Sequence, residues 1–341
     1  MKKVDLLICF YLTVFISFGC VLSRNNKTEF DNSNEIILYD PANWSPLISD
    51  RLNRIVLKGK INGTDCNIMI DTGGSVEAIS MDSTFFFSQI DTVDLNSESI
   101  RMPDKLLIAG LYHGNIPITI SGVTCYAKTI YIRTSRFSYF RENDNHNAVI
   151  GLFFHDKIMM VDFDENKIAF SDSLIFDTVD YKSIKMYSPQ KLTEDIGGRN
   201  NHHERYVEID GFIDKNGNEI KGRFLFDTGC NIPLILKSDF GEKLKVPENY
   251  KSFRNPKETR EGLRVWYANN LKIGGIDFDS IKTDQSLHGG HPGYPWGLND
   301  LGGEGLMGMG FINRFNFIAD FKNNILYLKP NKNYYEFNVS E

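Results

Sequence analysis

The tripeptide Asp-Thr-Gly occurs twice in the chain, at residues 71–73 and at residues 227–229. Each copy follows a largely apolar run, Asn-Ile-Met-Ile at 67–70 and Arg-Phe-Leu-Phe at 223–226. Runs of this kind are typical of buried strands. An aspartate at the end of such a strand is expected on a tight turn, because Gly permits unusual backbone dihedrals and the Thr hydroxyl can tie the loop down. The sequence therefore predicts two similar turns, each presenting one carboxyl group.

The same landmarks follow both tripeptides in the same order. An apolar-apolar-Gly element ends at Gly151, 80 residues after Asp71, and at Gly308, 81 residues after Asp227. The other matched pairs are residues 118–123 with 271–276, and the Asp-Phe pairs 162–163 and 320–321. Matched landmarks at nearly equal spacing predict an internal repeat of roughly 150 residues. The alternative is two unrelated β segments that share a tripeptide.

These motifs carry a family resemblance. Asp-Thr-Gly, the later apolar-apolar-Gly element and a terminal hairpin at residues 315–328 resemble the lobe of an aspartic peptidase. The sequence of the terminal hairpin is most similar to bacterial retropepsin-like peptidases, whereas two lobes in one chain resemble the pepsin arrangement. The resemblance covers about residues 52–330. It implies an all-β fold, with two acid-protease-type β-barrel lobes and an active-site cleft between them.

The resemblance also implies a mechanism in which Asp71 and Asp227 are the catalytic residues. Two carboxyl groups about 3 Å apart cannot both ionise, so the pair shares one proton. The ionised member accepts a proton from a bound water, and the protonated member donates to the peptide carbonyl oxygen. No cofactor and no metal are expected. The residues expected to support the two turns are Thr72, Gly73, Thr228 and Gly229.

An aspartic peptidase also needs a hairpin flap that closes over the substrate. The candidate segments are residues 107–114 and residues 262–267. Gly110 is expected to give mobility at a hairpin tip, and Tyr112 and Trp266 to offer flat apolar surface to a peptide. The alternative is that both segments are ordinary β-hairpins whose aromatic side chains face the core.

The position after each tripeptide departs from the pepsin-like pattern, which has Ser or Thr there. This chain has Gly74 and Cys230, neither of which carries a hydroxyl group. A hydroxyl donor stabilises the charged carboxylate and lowers its pKa. Without it, the pKa values of the pair are expected to rise, so we expect activity at mildly acidic to near-neutral pH.

The amino-terminal sequence has the pattern of an export signal. Lys2 and Lys3 precede an apolar run at residues 6–18, which is too short for a comfortable membrane span. The run resembles a bacterial lipoprotein signal, in which Cys20 becomes the lipidated first residue, although Ser17 departs from that pattern. The alternatives are an ordinary secretory signal and an uncleaved anchor. We expect an extracytoplasmic, membrane-anchored lipoprotein of the cell envelope.

The remaining cysteines are Cys66, Cys125 and Cys230. An odd number argues against a disulfide framework. Cys66 and Cys125 lie in the same predicted lobe and can pair, but buried free thiols are the expectation. No cluster of His and Cys has the spacing of a zinc site.

Charge and length bound the remaining possibilities. A net charge of −6 gives no basic footprint, so nucleic acid is not an expected partner. The expected partners are a polypeptide substrate and, through the lipid, a membrane; the chain is expected to be a monomer. The expected segments are a signal at 1–20, a tether at 21–50, the first lobe at 51–171, a connection at 172–204 and the second lobe at 205–332.

Two functions from different classes fit these observations. The first is an active aspartic endopeptidase. The second is a non-catalytic, peptide-binding envelope lipoprotein that retains the aspartic peptidase fold. A third arrangement, in which each lobe dimerises with another chain, is unnecessary when one polypeptide carries two Asp turns.

Overall fold

Strands form more than half of the residues that the structure describes, and the helices among them are short. The computed structural model describes residues 43–74, 78–89, 96–98, 108–133, 140, 144–173, 178–188, 204–254, 261–287 and 302–336. Cys20, the predicted signal and residues 21–42 of the predicted tether lie outside the described residues. The prediction of an all-β fold is confirmed. No helix in the described ranges is long and apolar enough to cross a lipid bilayer.

The strands of the first half are β1 Ser45–Pro46, β2 Val56–Ile61, β3 Thr64–Ile70, β4 Ala78–Asp82, β5 Asn96–Glu98, β6 Ile108–Ile120, β7 Val123–Arg133, β8 Ala148–Ile150, β9 Ile158–Asp162 and β10 Lys167–Ser171. Those that follow are β11 Lys182–Tyr187, β12 Tyr206–Ile213, β13 Glu219–Phe226, β14 Leu234–Leu236, β15 Lys251–Arg254, β16 Glu261–Ala268, β17 Leu271–Ile273, β18 Ile276–Phe278, β19 Ile281–Ser286, β20 Gly305–Met307, β21 Phe315–Asp320 and β22 Ile325–Pro330. The helices are α1 Ser83–Gln89, α2 Ser238–Gly241, α3 Met309–Ile312 and α4 Asn333–Glu336.

The first-half sheet runs in the order β2-β3-β8-β4-β7-β6-β5, and pairing of β2 with β6 closes six of these strands into a barrel. The turn between β2 and β3 is the predicted Asn-Gly pair. Asn62 and Gly63 both have positive φ, 51° and 79°. Two such residues make the turn whose twist matches that of the flanking strands.

The second half repeats this pairing order as β12-β13-β20-β14-β19-β16-β15. The senses also agree: β3 and β8 are parallel, as are β13 and β20, and β4 and β7 are parallel, as are β14 and β19. β12 pairs with β17, as β2 pairs with β6. The strand order thus carries the internal repeat that the landmarks predict.

A central group of strands is continuous with the second-half sheet. The order β1-β10-β9-β21-β22-β11 leads directly into β12. Here β9 of the first half is paired with β21 of the second half, with Phe317 opposite Val161. Asn316 adds a side-chain link, since its Oδ1 accepts the backbone N–H of Phe163 at 2.9 Å and its Nδ2 donates to Asp164 at 2.8 Å.

Two predicted boundaries need correction. Residues 43–50 of the predicted tether belong to the folded body, because β1 pairs with β10 and Leu47 bridges to Leu57. The predicted connection at 172–204 contains β11, which pairs with β22 and then with β12. Residues 45–46 and residues 182–187 are therefore parts of the sheet rather than of linkers.

The side chains of the strands before each Asp turn divide between two layers. In β13, Phe224 and Phe226 are fully buried in the main hydrophobic core. Leu225 points to the other face, where it packs with Tyr206 and Leu306 in a smaller cluster. Because both faces are covered at this end of the strand, its last three residues, 224–226, are all apolar.

Candidate active site

The first Asp turn lies at the end of β3. Hydrogen bonding continues one residue beyond the strand, because the backbone N–H of Asp71 donates to the carbonyl of Ile150 in β8 at 2.8 Å. The turn then closes on itself. The backbone N–H of Gly73 donates to the Asp71 carboxyl at 3.0 Å, and that of Gly74 donates to the Asp71 carbonyl at 2.9 Å. The parallel pairing of β3 with β8 therefore fixes where this carboxyl group stands.

The second Asp turn has the same construction. The backbone N–H of Asp227 donates to the carbonyl of Met307 in β20 at 3.0 Å. The Asp227 carboxyl accepts the N–H groups of Gly229 at 2.8 Å and of Cys230 at 3.2 Å. Ile150 and Met307 are the last apolar residues of the two apolar-apolar-Gly elements, so each element anchors one Asp turn.

The two threonines interlock across the molecule. The Thr72 hydroxyl donates to the carbonyl of Phe226 at 2.5 Å and accepts the N–H of Thr228 at 3.0 Å. Reciprocally, the Thr228 hydroxyl donates to the carbonyl of Ile70 at 2.8 Å and accepts the N–H of Thr72 at 3.1 Å. Four buried hydrogen bonds thus join the turns, and a hydroxyl with both a donor and an acceptor role is needed at each position.

Each glycine of the two tripeptides lies against the carboxyl group of the opposite turn. A Cβ atom added to Gly73 would stand 2.8 Å from Cγ of Asp227. A Cβ atom added to Gly229 would lie still closer to the Asp71 carboxyl. Glycine is therefore required here by the close approach of the two turns.

The two carboxyl groups form a hydrogen-bonded pair. Asp71 is 6% exposed and Asp227 is 2% exposed. Burial raises the pKa of Asp227 well above its ordinary value, and the charge and hydrogen bond of the neighbouring Asp71 carboxyl raise it further. The two backbone N–H donors lower this pKa but are outweighed. Such a pair holds one proton over a wide pH range and titrates as a unit. It can remove a proton from one molecule and donate a proton to another at the same time.

Comparison with known proteins adds no assignment to this geometry. The sequence matches no family model and no curated protein. The chemistry of the site is therefore argued from its own atoms.

The position after each tripeptide provides no hydroxyl donor to either carboxyl. Gly74 has no side chain, and the Cys230 thiol points to the carbonyl of Ile232 at 4.0 Å. Burial raises the pKa of that thiol well above its ordinary range. The two carboxyl groups thus accept hydrogen bonds from backbone N–H groups of their turns, and neither accepts one from a side-chain hydroxyl at position 74 or 230.

The predicted flap residues lie in regular strands. Gly110 is in β6 opposite Ile132, so it is not at a hairpin tip. The segments that join β5 to β6 and β15 to β16 lie outside the described residues. Tyr112 is half-buried with its ring centroid 4.9 Å from that of Phe86, and Trp266 is buried in the main core. These placements favour the alternative in which both aromatic side chains face the core.

Two surface cavities formed by described residues lie away from the carboxyl pair. The first, of about 620 Å³, is lined by Lys185, Met186, Tyr187, Ser188, Arg223, Asn323, Asn324 and Ile325. The second, of about 600 Å³, is lined by Lys58, Gly59, Lys60, Asp65, Cys66, Asn67, Thr119, Ile120, Ser121 and Asn147. Neither of these two cavities is lined by Asp71 or Asp227.

A buried ion-pair cluster near the first turn is not predicted by the sequence reasoning. Arg54 binds Asp50 through two hydrogen bonds of 2.9 Å and Asp144 at 3.1 Å, and Arg51 joins Asp144 at 3.0 Å. Arg54 directly precedes Ile55. The carbonyl of Ile55 accepts the backbone N–H of Ile70, the residue before Asp71. The available signal is a charged residue two positions before a buried strand, at Arg54 and at the equivalent Glu204 of the second half.

The cysteines are free, as expected. Cys66 and Cys230 are buried and Cys125 is half-buried, and none forms a disulfide. Burial raises the pKa values of Cys66 and Cys125 to about 12. Among the described residues, no group of three or more His, Cys, Asp or Glu side chains is placed to hold a metal ion.

Proposed function

We propose that this protein is an aspartic endopeptidase, which hydrolyses peptide bonds with a water molecule activated between Asp71 and Asp227. The observation that carries the proposal is the hydrogen-bonded pair of carboxyl groups on two turns that are locked together by Thr72 and Thr228. A lone buried aspartate commonly caps a turn. Two such turns placed face to face with their carboxyls in contact are unfavourable for stability, and chemistry is the better explanation.

The proposed reaction uses the shared proton. The ionised carboxyl removes a proton from water as the water attacks the peptide carbonyl carbon, and the protonated carboxyl donates its proton to the carbonyl oxygen, which gives a tetrahedral diol. In the second step the newly protonated carboxyl donates its proton to the peptide nitrogen as the C–N bond breaks, and the other carboxyl takes a proton from a diol hydroxyl, so the pair returns to its starting state. The backbone N–H groups of Gly73 and Gly229 hold the carboxyls in one orientation through both steps. Neither aspartate is assigned the proton, because a coupled pair titrates as one system.

The test is cleavage of a denatured protein mixture at several pH values, with the cut sites identified by mass spectrometry. Wild type is expected to cut, and a statine-type inhibitor is expected to block it. Asp71→Asn and Asp227→Asn should each lower kcat by about 10²- to 10⁴-fold or more, because each removes half of the acid–base pair. Asp65→Asn is the matched control, since its side chain is 85% exposed.

Equal cleavage by wild type, Asp71→Asn and Asp227→Asn would refute the proposal that the protein is an aspartic endopeptidase. Binding of peptides without cutting would instead favour the second candidate, a non-catalytic peptide-binding lipoprotein. The near-complete burial of both carboxyls is the observation on its side, since a substrate must gain access to them.

We further propose that the protein is a monomeric lipoprotein of the bacterial cell envelope, anchored through Cys20. The support is the sequence of the first twenty residues. Labelling with a radioactive fatty acid tests this: wild type should incorporate label and Cys20→Ala should not. Label in both proteins, or in neither, would refute the anchor.

A further inference from the structure

The surface cavity of about 620 Å³ beside β11 has a charge opposite to that of the whole chain. Its charged lining residues are Lys185 and Arg223, and none of the described residues that line it is Asp or Glu. The chain as a whole has a net charge of −6. A cavity that carries cations and no carboxylates attracts anionic groups.

Both cations lie next to the same aromatic ring. Cζ of Arg223 is 4.0 Å from the centroid of the Tyr187 ring, and Nζ of Lys185 is 5.2 Å from it. A ring beside a guanidinium group helps to hold the group in one orientation, and the planar edge of the group can then bind a carboxylate or phosphate through two parallel hydrogen bonds. Tyr187 therefore pre-organises Arg223 for an oxyanion.

The fold leaves most of the hydrogen-bonding capacity of the two cations unused. The carboxylate beside Arg223 belongs to Glu208, but its Oε2 is 3.7 Å from Nε of Arg223, and Glu208 already pairs with Lys221 at 2.7 Å. Among the described residues, no side chain accepts a hydrogen bond from the two terminal nitrogens of Arg223, and none forms an ion pair with Lys185.

Asn324 adds a polar side chain that the fold does not use. It lines the cavity, and its backbone has a positive φ of 56°. Its carbonyl accepts the backbone N–H of Met186 at 2.8 Å, which fixes the residue in place. Its side-chain Oδ1 has no hydrogen-bond partner within the described part of the chain. The backbone thus holds this amide group at the cavity, where its Nδ2 is a donor that a ligand can use.

The internal repeat provides a comparison for this arrangement. In the first half, the backbone N–H of Leu47 donates to the carbonyl of Asn166 at 2.7 Å, as that of Met186 does to Asn324. Asn166 has a positive φ of 51°, close to that of Asn324. The two halves therefore share this piece of backbone.

The side chains that give the cavity its charge occur in the second half and not at the equivalent positions of the first. The residues equivalent to Lys185, Tyr187 and Arg223 are Pro46, Ile48 and Asn67. The same backbone thus forms without the two cations and without the ring. A role in binding explains these three side chains better than a role in folding.

We propose that this cavity is a binding site for a small organic anion, whose carboxylate or phosphate group is held by Arg223 and Lys185. The volume is typical of ligand pockets and larger than a single oxyanion needs, so the ligand has a body as well as a charged group. Ile325 and the ring of Tyr187 offer apolar surface to that body. The inference does not depend on the proposed peptidase, because neither aspartate of the carboxyl pair lines the cavity.

The experiment titrates the full-length protein with three probes and measures their affinities by calorimetry. The probes are inorganic phosphate, N-acetyl-alanyl-alanine and the C-terminal amide of the same dipeptide. Phosphate or the dipeptide acid should bind, whereas the amide, which differs from the acid only in lacking the charged group, should not. The tighter of the two binding probes identifies the ligand as a phosphate or as a carboxylate.

Arg223→Met and Lys185→Met should each weaken this binding by about 10- to 100-fold, because each removes a charge-assisted hydrogen bond. Arg223→Lys should also weaken it, since an ammonium group cannot form the two parallel bonds of a guanidinium. Lys329→Met is the matched control. Nζ of Lys329 also lies beside a ring, 5.8 Å from the centroid of Tyr181, but Lys329 does not line the cavity. Its affinities should equal those of wild type.

Three results would overturn the site. They are no binding of phosphate or of the dipeptide acid to wild type, equal binding of the acid and its amide, and equal affinities of wild type, Arg223→Met and Lys185→Met. Because Lys185 is exposed, its substitution is expected to leave the fold intact, and it keeps the test decisive if Arg223→Met does not fold. Loss of the peptidase proposal would change none of these measurements.

Discussion

Thr228 donates its backbone N–H to the hydroxyl of Thr72 at 3.0 Å, and Thr72 donates its own N–H to the hydroxyl of Thr228 at 3.1 Å. Each threonine directly follows one aspartate of the carboxyl pair in the sequence. The separation of the two carboxyl groups is therefore set by hydrogen bonds one residue away from each of them. This arrangement makes the geometry of the pair a property of the fold, independent of any bound substrate.

Removing one of these hydroxyls should weaken both stability and activity. Thr228→Val keeps the shape of the side chain but leaves the N–H of Thr72 and the carbonyl of Ile70 without their partner. We expect the free energy of unfolding to fall by about 1–3 kcal/mol, measured by urea denaturation. Thr228→Ser restores the hydroxyl and should recover most of the loss. A valine variant as stable as wild type would contradict the role given to this threonine.

A hydroxyl group at position 230 should shift the pH profile towards acid. The proposed mechanism needs one protonated and one ionised carboxyl, so the alkaline limb of the activity profile should follow the raised pKa of the pair that includes Asp227. In Cys230→Ser a new O–H donor can stabilise the ionised form, which lowers that pKa. The alkaline limb of kcat/KM should therefore move to lower pH. The control is Cys66→Ser in the first-half barrel; an equal shift there, or no shift at position 230, would refute this explanation.

Asp227→Asn should make the protein more stable near neutral pH. The pKa of Asp227 is raised in the folded state, so between its unfolded and folded pKa values the native state binds more protons than the unfolded state. Stability then falls as the pH rises through that window. Asparagine does not titrate, so the variant does not lose stability in this way. The melting temperature of Asp227→Asn should exceed that of wild type at pH 7, and the difference should be larger at pH 7 than at pH 4. Calorimetry at both pH values measures this, and an unchanged or lower melting temperature at pH 7 would count against the coupled pair.

Arg54→Met should destabilise the first half strongly, because it leaves Asp50 and Asp144 buried without their shared cation. Breaking such a pair costs about 3–5 kcal/mol, which denaturation at pH 7 would measure. Burial raises the pKa of Asp50, but the hydrogen bonds and charge of Arg54 outweigh it and hold the pKa below its usual value.

The contribution of the Asp50–Arg54 pair to the free energy of unfolding is therefore fully present above the ordinary pKa of Asp. It is lost as the pH falls through the lowered pKa of Asp50 in the folded state. The difference between wild type and Arg54→Met should shrink in acid. Arg51→Met is the control, since the Arg51 side chain is 41% exposed and its pair should contribute only about 0–1 kcal/mol. Equal effects of the two substitutions would refute the importance of burial.

The features that the sequence predicts well are local ones. An apolar run before Asp71, a Gly after it and a two-residue Asn-Gly turn are each set by neighbouring residues. The repeat is visible because the anchors Ile150 and Met307 follow Asp71 and Asp227 at nearly equal separations in the sequence. Together they predict the all-β fold and the two turns.

The features that the sequence does not predict depend on partners far along the chain. From the sequence, Gly110 is expected at a hairpin tip. Its pairing with Ile132 of the neighbouring strand places it inside β6 instead. Trp266 resembles a substrate contact, yet burial of a large ring in the core decides its place. Asp284 lies in a polar run, residues 283–286, which hydropathy assigns to the surface although these residues are buried.

The pairing of β9 with β21 has a consequence for how the protein is made. Ribosomes finish the first half well before residues 315–320 of β21 exist, so during synthesis β9 has an open edge next to Met160 and Val161, residues that are buried in the finished molecule. Open apolar edges of this kind promote aggregation. A nascent chain that pauses in the second half should therefore depend on chaperones until its last hairpin is complete.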